Sequence, residues 1–429
     1  MTQIKIMKTD GKLVVNPRKI VIALLAAAML AVFLNSELSI VLGPFMALAF
    51  VYLYFFGYPE LVTAIIVVAN DALGTIIGGS LSFPYLLLGL VAVRFLMTAK
   101  LRYAGIAYFT VALVLILQPY FTDSLSFRGV IYPFAFISAL LVLPREEETL
   151  QRLFRGIAMT VVLLGLHACI TGGVEFYEQS EYSKEVLRKG ILGVGIGDSN
   201  FSCYLLLIGM LGVWYEKKLS IFWKTVCTGI LLYAIMITLS TTGVLGLLLI
   251  SLLAALLGKK KSKSLIAFLI IAFVVICLFQ WYIELPASMR NETLDGYIAR
   301  VEEKMLQVQA GDFEGATTNR SYLADAYLKY IFNQPLLPLL FGGNKLVLID
   351  NSIAHNTYLT LILQVGLLGA SAIFAWMIWK LSRLYLCPAG TENRSVVLIL
   401  KILSLFFSFT LSFYDGSLWA LWLYFLIVL

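Results

Sequence analysis

The chain contains two histidines, and the surroundings of one of them, His355, are suited to chemistry. Imidazole titrates near neutral pH and can act as a general base. Upstream, Arg320 opens a predicted helix, and the glycine pair Gly342 and Gly343 lies between that helix and His355. Asn356 follows His355 directly, where the next long apolar run begins. The spacing therefore predicts that a permanently charged guanidinium, a glycine-rich backbone and a titratable imidazole come together at the start of that run.

The elements that must position these residues are long apolar helices. Of the 429 residues, 60% are hydrophobic and 13% are charged, whereas a soluble domain carries about 25% charged residues. The apolar runs are about 16 to 22 residues long, enough to cross a hydrocarbon core of about 30 Å. We therefore predict an all-α polytopic membrane protein, a single transmembrane domain over residues 1–429 with about 14 (12–14) spans. The spans are expected at about 19–34, 38–56, 60–79, 84–98, 103–118, 128–143, 152–171, 197–214, 220–239, 242–257, 264–282, 355–379, 395–413 and 416–428.

The distribution of Lys and Arg predicts the orientation. If the N-terminus is inside, nearly every basic cluster falls in an inside-facing connection, namely 100–102, 145–155, 217–224, 259–263 and 380–394. Cytoplasmic loops are enriched in Lys and Arg. We therefore expect both termini in the cytoplasm. The outside-facing connections are then 35–37, 80–83, 119–127, 172–196, 240–241, 283–354 and 414–415.

The segment 283–354 is the one large loop, and we expect it to be extracytoplasmic. It contains two predicted helices, at about 286–309 and 319–332, the second ended by Asn333-Gln334-Pro335. Along the second helix, an apolar stripe is formed by Leu323, Tyr327, Tyr330 and Ile331. A loop of this length that keeps a structured pattern indicates function.

Composition argues against several other classes. The net charge of +7 raises the question of nucleic acid, but the basic residues lie beside apolar runs, as anchoring charges do, and no nucleic-acid-binding motif is present. The five cysteines have no CxxC spacing and are typical of buried hydrophobes rather than a disulfide framework or a zinc site. We expect no cofactor and no metal, because no Asp-x-Asp or carboxylate–histidine cluster is present. A divalent metal ion is still not excluded, because isolated carboxylates are present at Asp198, Asp295, Asp312 and Asp350.

Three segments together resemble the signature region of the O-antigen polymerase and O-antigen ligase superfamily of bacterial membrane glycan transferases. Residues 188–207 read RKGILGVGIGDSNFSCYLLL, residues 238–249 read TLSTTGVLGLLL, and residues 319–370 carry Arg320, the glycine pair, His355-Asn356 and Gly366-Leu-Leu-Gly369. The resemblance covers about 185–380 and implies a glycosyltransferase C-like membrane fold. In one departure, Thr241 stands where many members carry Arg, so a cation there is absent or comes from elsewhere, with Arg188 and Lys189 as candidates.

The resemblance implies metal-independent, inverting transfer of a glycan from undecaprenyl diphosphate to a sugar hydroxyl. The site would lie at the periplasmic face of the bacterial inner membrane. His355 would accept the proton of the acceptor hydroxyl, and Arg320 would neutralise the leaving diphosphate through paired hydrogen bonds. The remaining residues expected to bind the diphosphate or the glycan are Arg188, Lys189, Asn200, Asn356, Tyr322 and Gly343.

Within that class we favour a polymerase, which joins lipid-linked repeats, over a ligase, which moves the finished glycan to lipid A-core. The rival from another class is a lipid-linked oligosaccharide flippase or transporter, for which Asn70 and Asp71 inside a predicted span are the faint support. The expected partners are the undecaprenyl-diphosphate-linked donor, the glycan or lipid-linked acceptor and the bilayer. A chain-length regulator is a possible partner, and nucleic acid is not expected.

The same residues also have plain structural readings. His167, inside a predicted span, is more typical of packing or of a helix–helix hydrogen bond. Arg320 could instead pair with Asp325 or with another nearby carboxylate. Tyr322 and Tyr327 could stack on sugars, but packing of the loop helix is the better explanation.

Overall fold

The computed structural model describes residues 8–9, 12–13, 16–77, 81–98, 127–143, 147–180, 183–192, 199–238, 240–257, 280–290, 292–317, 320–343, 347, 349, 354–386, 393–411, 420–422 and 424–428. The predicted span at about 103–118 and most of the one at 264–282 lie outside the described residues, as do residues 416–419 and 423 of the last predicted span.

Helices make up nearly all of the described chain. They are α1 Pro17–Leu34, α2 Ser39–Phe55, α3 Pro59–Ala69, α4 Phe83–Thr98, α5 Phe127–Val142, α6 Glu147–Thr171, α7 Ser199–Tyr215, α8 Ile221–Ile237, α9 Thr241–Leu257, α10 Glu292–Gln309, α11 Phe313–Ala316, α12 Arg320–Phe332, α13 Leu336–Phe341, α14 Thr357–Leu386 and α15 Asn393–Ser408, with a π-helix at Tyr424–Val428. Three antiparallel hairpins pair β1 Lys8–Thr9 with β2 Lys12–Leu13, β3 Thr75–Ile77 with β4 Leu81–Ser82, and β5 Val174–Ser180 with β6 Ser183–Gly190.

Four helical segments are long and apolar enough to cross a membrane. They are Pro17–Leu34, Ser36–Phe55, Glu148–Thr171 and Thr357–Arg383. Shorter apolar helices coincide with further predicted spans, at Pro59–Ala69, Phe83–Arg94, Ser199–Tyr215, Ile221–Ile237, Thr241–Leu257 and Ser395–Ser408. The described residues therefore form an all-α membrane protein, while the predicted total of about 14 spans is not confirmed.

The chain folds into two compact units. Unit 1 comprises Met1–Ala234 with Asp415–Tyr424 and Val428, and unit 2 comprises Ile235–Tyr414 with Phe425–Ile427 and Leu429.

Helix α6 packs between α3 and α7 in unit 1, and glycines allow the close approach. A Cβ added to Gly156 would lie 2.6 Å from the Ala64 Cβ, and one added to Gly209 would lie 2.4 Å from the Val161 Cγ1. Small residues serve this purpose in membrane helix packing, since they let two backbones come together.

The structure corrects the span expected at about 60–79, because α3 ends at Ala69. All eleven residues of α3 are buried. The chain then turns through Asn70 and Asp71, whose side chains are joined by an Asn70 Nδ2 to Asp71 Oδ1 hydrogen bond of 2.8 Å. It continues as the β3–β4 hairpin, so these two polar residues lie in a turn and not in the middle of a helix.

Charged side chains gather at one end of unit 1. Arg152 Nη1 donates to the Gly57 carbonyl at 3.2 Å and lies 4.0 Å from the carboxylate of buried Glu60. Arg155 Nε donates to Glu216 Oε2 at 2.6 Å. Two connections predicted to face the cytoplasm, 145–155 and 217–224, thus begin or end at the same end of the unit.

Unit 2 contains α9 to α15, with a broken helix and a buried lysine. Helix α14 is interrupted at Gly366, whose φ of 72° and ψ of 174° are not helical. In α15, Lys401 is almost fully buried, and its Nζ donates to the Leu426 carbonyl at 3.2 Å.

Candidate functional site

His355 lies in a strained turn directly before α14. Its φ of 44° is the one positive φ of a non-glycine residue in the described part of the chain. Such conformations are costly, persist where the surrounding structure imposes them, and cluster at functional sites. The side chain is partly buried. This backbone strain adds an independent observation to the residue that the sequence analysis selected.

The residues after His355 hold that turn in place. Asn356 caps α14, because its Oδ1 accepts hydrogen bonds from the amides of Tyr358 at 3.0 Å and Leu359 at 3.2 Å. Thr357 Oγ1 donates to the Leu411 carbonyl at 2.6 Å, which ties the first turn of α14 to the end of α15. The Asn356 side chain predicted to bind substrate is therefore engaged as a helix cap.

One hydrophobic cluster joins helix α12 to the start of α14. Its buried members are Leu323, Tyr327 and Ile331 from α12 with Ala354, Leu359 and Leu363. The Tyr327 hydroxyl donates to the Val347 carbonyl inside the same region, and burial raises the pKa of Tyr327. Because Leu323 is three residues from Arg320 and Ala354 precedes His355, the cluster packs together the two segments of unit 2 that carry the predicted catalytic residues.

Arg320 is the first residue of α12 and is partly buried. Its neighbour Ser321 is bound to the preceding turn, where the Thr317 and Ser321 hydroxyls lie 2.9 Å apart. Asp325, weighed above as a partner of Arg320, forms an ion pair with Lys329 at 2.6 Å. The packing explanation is confirmed for Tyr327, which is fully buried, but not for Tyr322, which is exposed on the face of α12 away from the buried stripe.

The glycine pair after α13 packs against the break in α14. A Cβ on Gly342 would lie 2.4 Å from the Gln364 carbonyl oxygen, and one on Gly366 would lie 2.2 Å from the Leu340 carbonyl oxygen. The Gly343 amide donates to the Gln364 carbonyl at 3.1 Å. The amide of Gly343, predicted to bind substrate, is therefore used inside the fold to satisfy a carbonyl that the break in α14 leaves open.

A lysine reaches the position where Thr241 departs from the resemblance. Lys304 Nζ, from α10, donates to Thr241 Oγ1 at 3.2 Å, at the first residue of α9. Buried Ser240 caps the same helix, since its Oγ accepts from the Gly243 amide at 3.0 Å. Lys304 thus places a cation at the position of Thr241, while the role expected of Arg188 and Lys189 stays a prediction.

Arg188, Lys189 and Asn200 belong to unit 1. Arg188 and Lys189 lie in β6, paired with Phe176 and Glu175 of β5. Beyond the strand, the Ile191 amide donates to Ser202 Oγ at 3.1 Å, which ties the end of β6 to the first turn of α7, where Asn200 is buried. The structure therefore brings these three residues into one region of unit 1. The sequence had not indicated a hairpin.

Within the described residues, no three side chains of His, Cys, Asp or Glu come close enough to hold a metal ion. The metal-independent chemistry expected from the sequence stays a prediction.

Comparisons with known proteins add no relative. No family model matches the chain, and neither curated proteins nor solved structures contain a significant match. The function therefore has to be argued from the residues and their geometry.

The contact between Lys304 and Thr241 was not expected from the sequence. Its helix, α10, is rich in carboxylates, including Glu302 and Glu303, which is typical of a solvated helix. A signal was present, because Lys304 follows buried Ile298 and half-buried Val301 at intervals of three residues and so lies on the same face of the helix.

Proposed function

We propose that this protein is a bacterial surface-polysaccharide polymerase. It transfers a glycan from undecaprenyl diphosphate to a sugar hydroxyl of another lipid-linked repeat, at the outer face of the inner membrane. The observation that carries the proposal is the hydrophobic cluster that holds the start of α12, with Arg320, and the strained turn at His355 in one packed element. The three-segment resemblance supplies the reaction class.

The chemistry requires two functions of the protein. The acceptor oxygen forms a bond to the anomeric carbon while the bond from that carbon to the diphosphate breaks, so charge moves onto the leaving polyprenyl diphosphate. His355 accepts the proton that the acceptor hydroxyl loses. Arg320 neutralises the departing phosphate, since a guanidinium offers two parallel donors to phosphate oxygens.

Lys304 is a second cation for the leaving group. Its ammonium lies at the first residue of α9, where the helix N-terminus already favours negative charge. The positive end of the helix dipole repels a lysine ammonium placed there, and a bound anionic head group offsets that repulsion. In this proposal Lys304 takes the part that the resemblance assigns to an arginine at the position of Thr241.

The test is a set of single variants in cells that lack the native copy. His355→Ala and Arg320→Ala should abolish long glycans and leave lipid-linked single repeats on the periplasmic side. Lys304→Ala should lower the yield of long chains by about 10²-fold or more if it stabilises developing charge. Lys329→Ala is the matched control, because Lys329 makes an exposed ion pair on the same helix as Arg320, and pairs of this kind contribute little.

The site of accumulation separates the alternatives. Single repeats capping the outer glycan indicate a polymerase, whereas full-length chains stranded on the carrier indicate a ligase, for which the resemblance leaves room. Repeats that accumulate on the cytoplasmic side would show a flippase and would remove the transferase proposal. Normal glycans in both His355→Ala and Arg320→Ala would remove the proposed site.

A further inference from the structure

Residues 332–341, which we name the return segment, carry large apolar side chains that the described protein leaves uncovered. The exposed fractions are 65% for Phe332, 68% for Leu336, 70% for Leu337 and 62% for Phe341. The sequence from Asn333 to Phe341 has no charged residue. Large exposed apolar side chains grouped within ten residues in this way point to a site for lipid or for a partner.

The contact with α14 gives the depth of the return segment. Its C-terminal end rests on Gly366, which is nine residues from the start of the candidate span Thr357–Arg383. At 1.5 Å per residue, Gly366 lies about 13 Å along the helix. Because the helix is broken at Gly366, the 27-residue span is at most about 40 Å long, and a centred span exceeds a hydrocarbon core of about 30 Å by no more than about 5 Å at each end. The end of the return segment therefore lies several ångströms inside the apolar layer.

The backbone of the return segment is suited to that depth. Pro335 and Pro338 have no amide hydrogen. The amides of Leu339 and Gly342 donate to the carbonyls of those prolines, at 3.0 and 2.8 Å, and the Gly343 amide donates to Gln364. Irregular backbone is tolerated at membrane depth where its polar groups are satisfied by protein. These hydrogen bonds meet that condition for the part of the segment closest to Gly366.

We propose that the return segment is re-entrant, and that its exposed leucine and phenylalanine side chains are covered by lipid acyl chains of the bilayer. The loop expected to lie wholly outside the membrane instead dips into the lipid between α12 and the turn at His355. This inference is independent of the glycan-transfer proposal, since it concerns lipid contact and not turnover.

The test measures where a nitroxide at position 337 resides. The five native cysteines are replaced by serine, Leu337→Cys is spin-labelled, and the full chain is reconstituted in vesicles of phosphatidylethanolamine and phosphatidylglycerol. Collision with oxygen, which concentrates in lipid, is compared with collision with a water-soluble nickel chelate. Lys329→Cys, on the exposed face of α12, is the matched control, and Leu336→Cys repeats the measurement at a neighbouring site.

We expect oxygen to dominate at positions 336 and 337 and the nickel chelate to dominate at position 329. Greater access of the nickel chelate at 336 and 337 would show that the segment faces water and would overturn the proposal. Protection from both reagents at these positions would show that protein covers the segment, and it would also overturn the proposal. Neither result depends on glycan transfer, so the two proposals fail separately.

Discussion

The break in α14 is testable through Gly366→Ala. Gly366 has φ 72° and ψ 174°, a region that is essentially limited to glycine. An added Cβ would lie 2.2 Å from the Leu340 carbonyl oxygen and 2.4 Å from the Phe341 nitrogen, both of them backbone atoms. Neither contact is relieved by rotating a side chain, so α13 has to move away from α14.

Two terms give the magnitude. Holding alanine in this backbone region costs about 1–3 kcal/mol, and forcing a methyl group into a packed contact costs about 1–3 kcal/mol. The contact between α13 and α14 is therefore weakened by about 2–6 kcal/mol. The lower figure corresponds to an increase of about 30-fold in the local opening equilibrium. Straightening of α14 would relieve the strain, but it would still separate the two helices.

Hydrogen exchange followed by mass spectrometry measures this opening at the Gly343 amide, which donates to Gln364. Two control variants separate the effect of backbone strain from the effect of steric contact. Gly343→Ala has a φ of 92° but nothing within 4 Å of its added Cβ, so it tests strain alone and should accelerate exchange less. Gly89→Ala, in α4, has neither strain nor contact and should leave the amide unchanged. Unchanged exchange in Gly366→Ala would refute the argument that the α13 contact maintains the break.

Three further predictions concern stability, measured by thermal unfolding of the purified protein. Asn356→Ala should cost about 1 kcal/mol and Asn356→Ser much less, because serine also caps a helix; equal losses would contradict the capping role. Burial raises the pKa of Glu216, but hydrogen bonds from Arg155 and a backbone amide, with the nearby charges, bring it below 4.5 overall. At pH 7 the wild type should therefore have a higher melting temperature than Glu216→Gln. This difference should disappear as the pH falls below 4.5, because a lowered carboxyl pKa stabilises the folded protein only while the carboxylate is ionised. Tyr327→Phe should cost about 1–3 kcal/mol, because it leaves the Val347 carbonyl without its buried donor, and an unchanged melting temperature would show that this hydrogen bond contributes nothing.

Much of the helical framework could be predicted because the signals are local. The apolar runs predicted the ends of α1, α2 and α9 to within a few residues, because hydropathy and the length of each apolar run decide where these helices begin and end. The helix expected at about 319–332 is Arg320–Phe332 in the structure, because the proline at position 335 ends it. His355 was selected from its residue type and position, and its positive φ is an independent observation.

The parts that could not be predicted depend on contacts between distant residues. The apolar pattern continues past Ala69 to Ile76 and Ile77, yet α3 ends at Ala69. Beyond that residue, Gly74 has a φ of 70° and the backbone of Thr75 packs on Gly43. Lys304 and Thr241 are 63 residues apart. Periodicity identifies the buried face of a helix but not the surface that covers it. The reaction class therefore still rests on the resemblance.

The buried Lys401 has a consequence for how the chain enters the membrane during synthesis. A lysine at the centre of an inserting helix costs about 2.5–3.5 kcal/mol. The carbonyl that its ammonium binds in the folded protein belongs to a residue 25 positions later. When α15 first reaches the insertion machinery, that acceptor has not yet been placed. Early exposure of α15 to lipid is therefore unfavourable, and its stable insertion is coupled to the arrival of the π-helix at Tyr424–Val428.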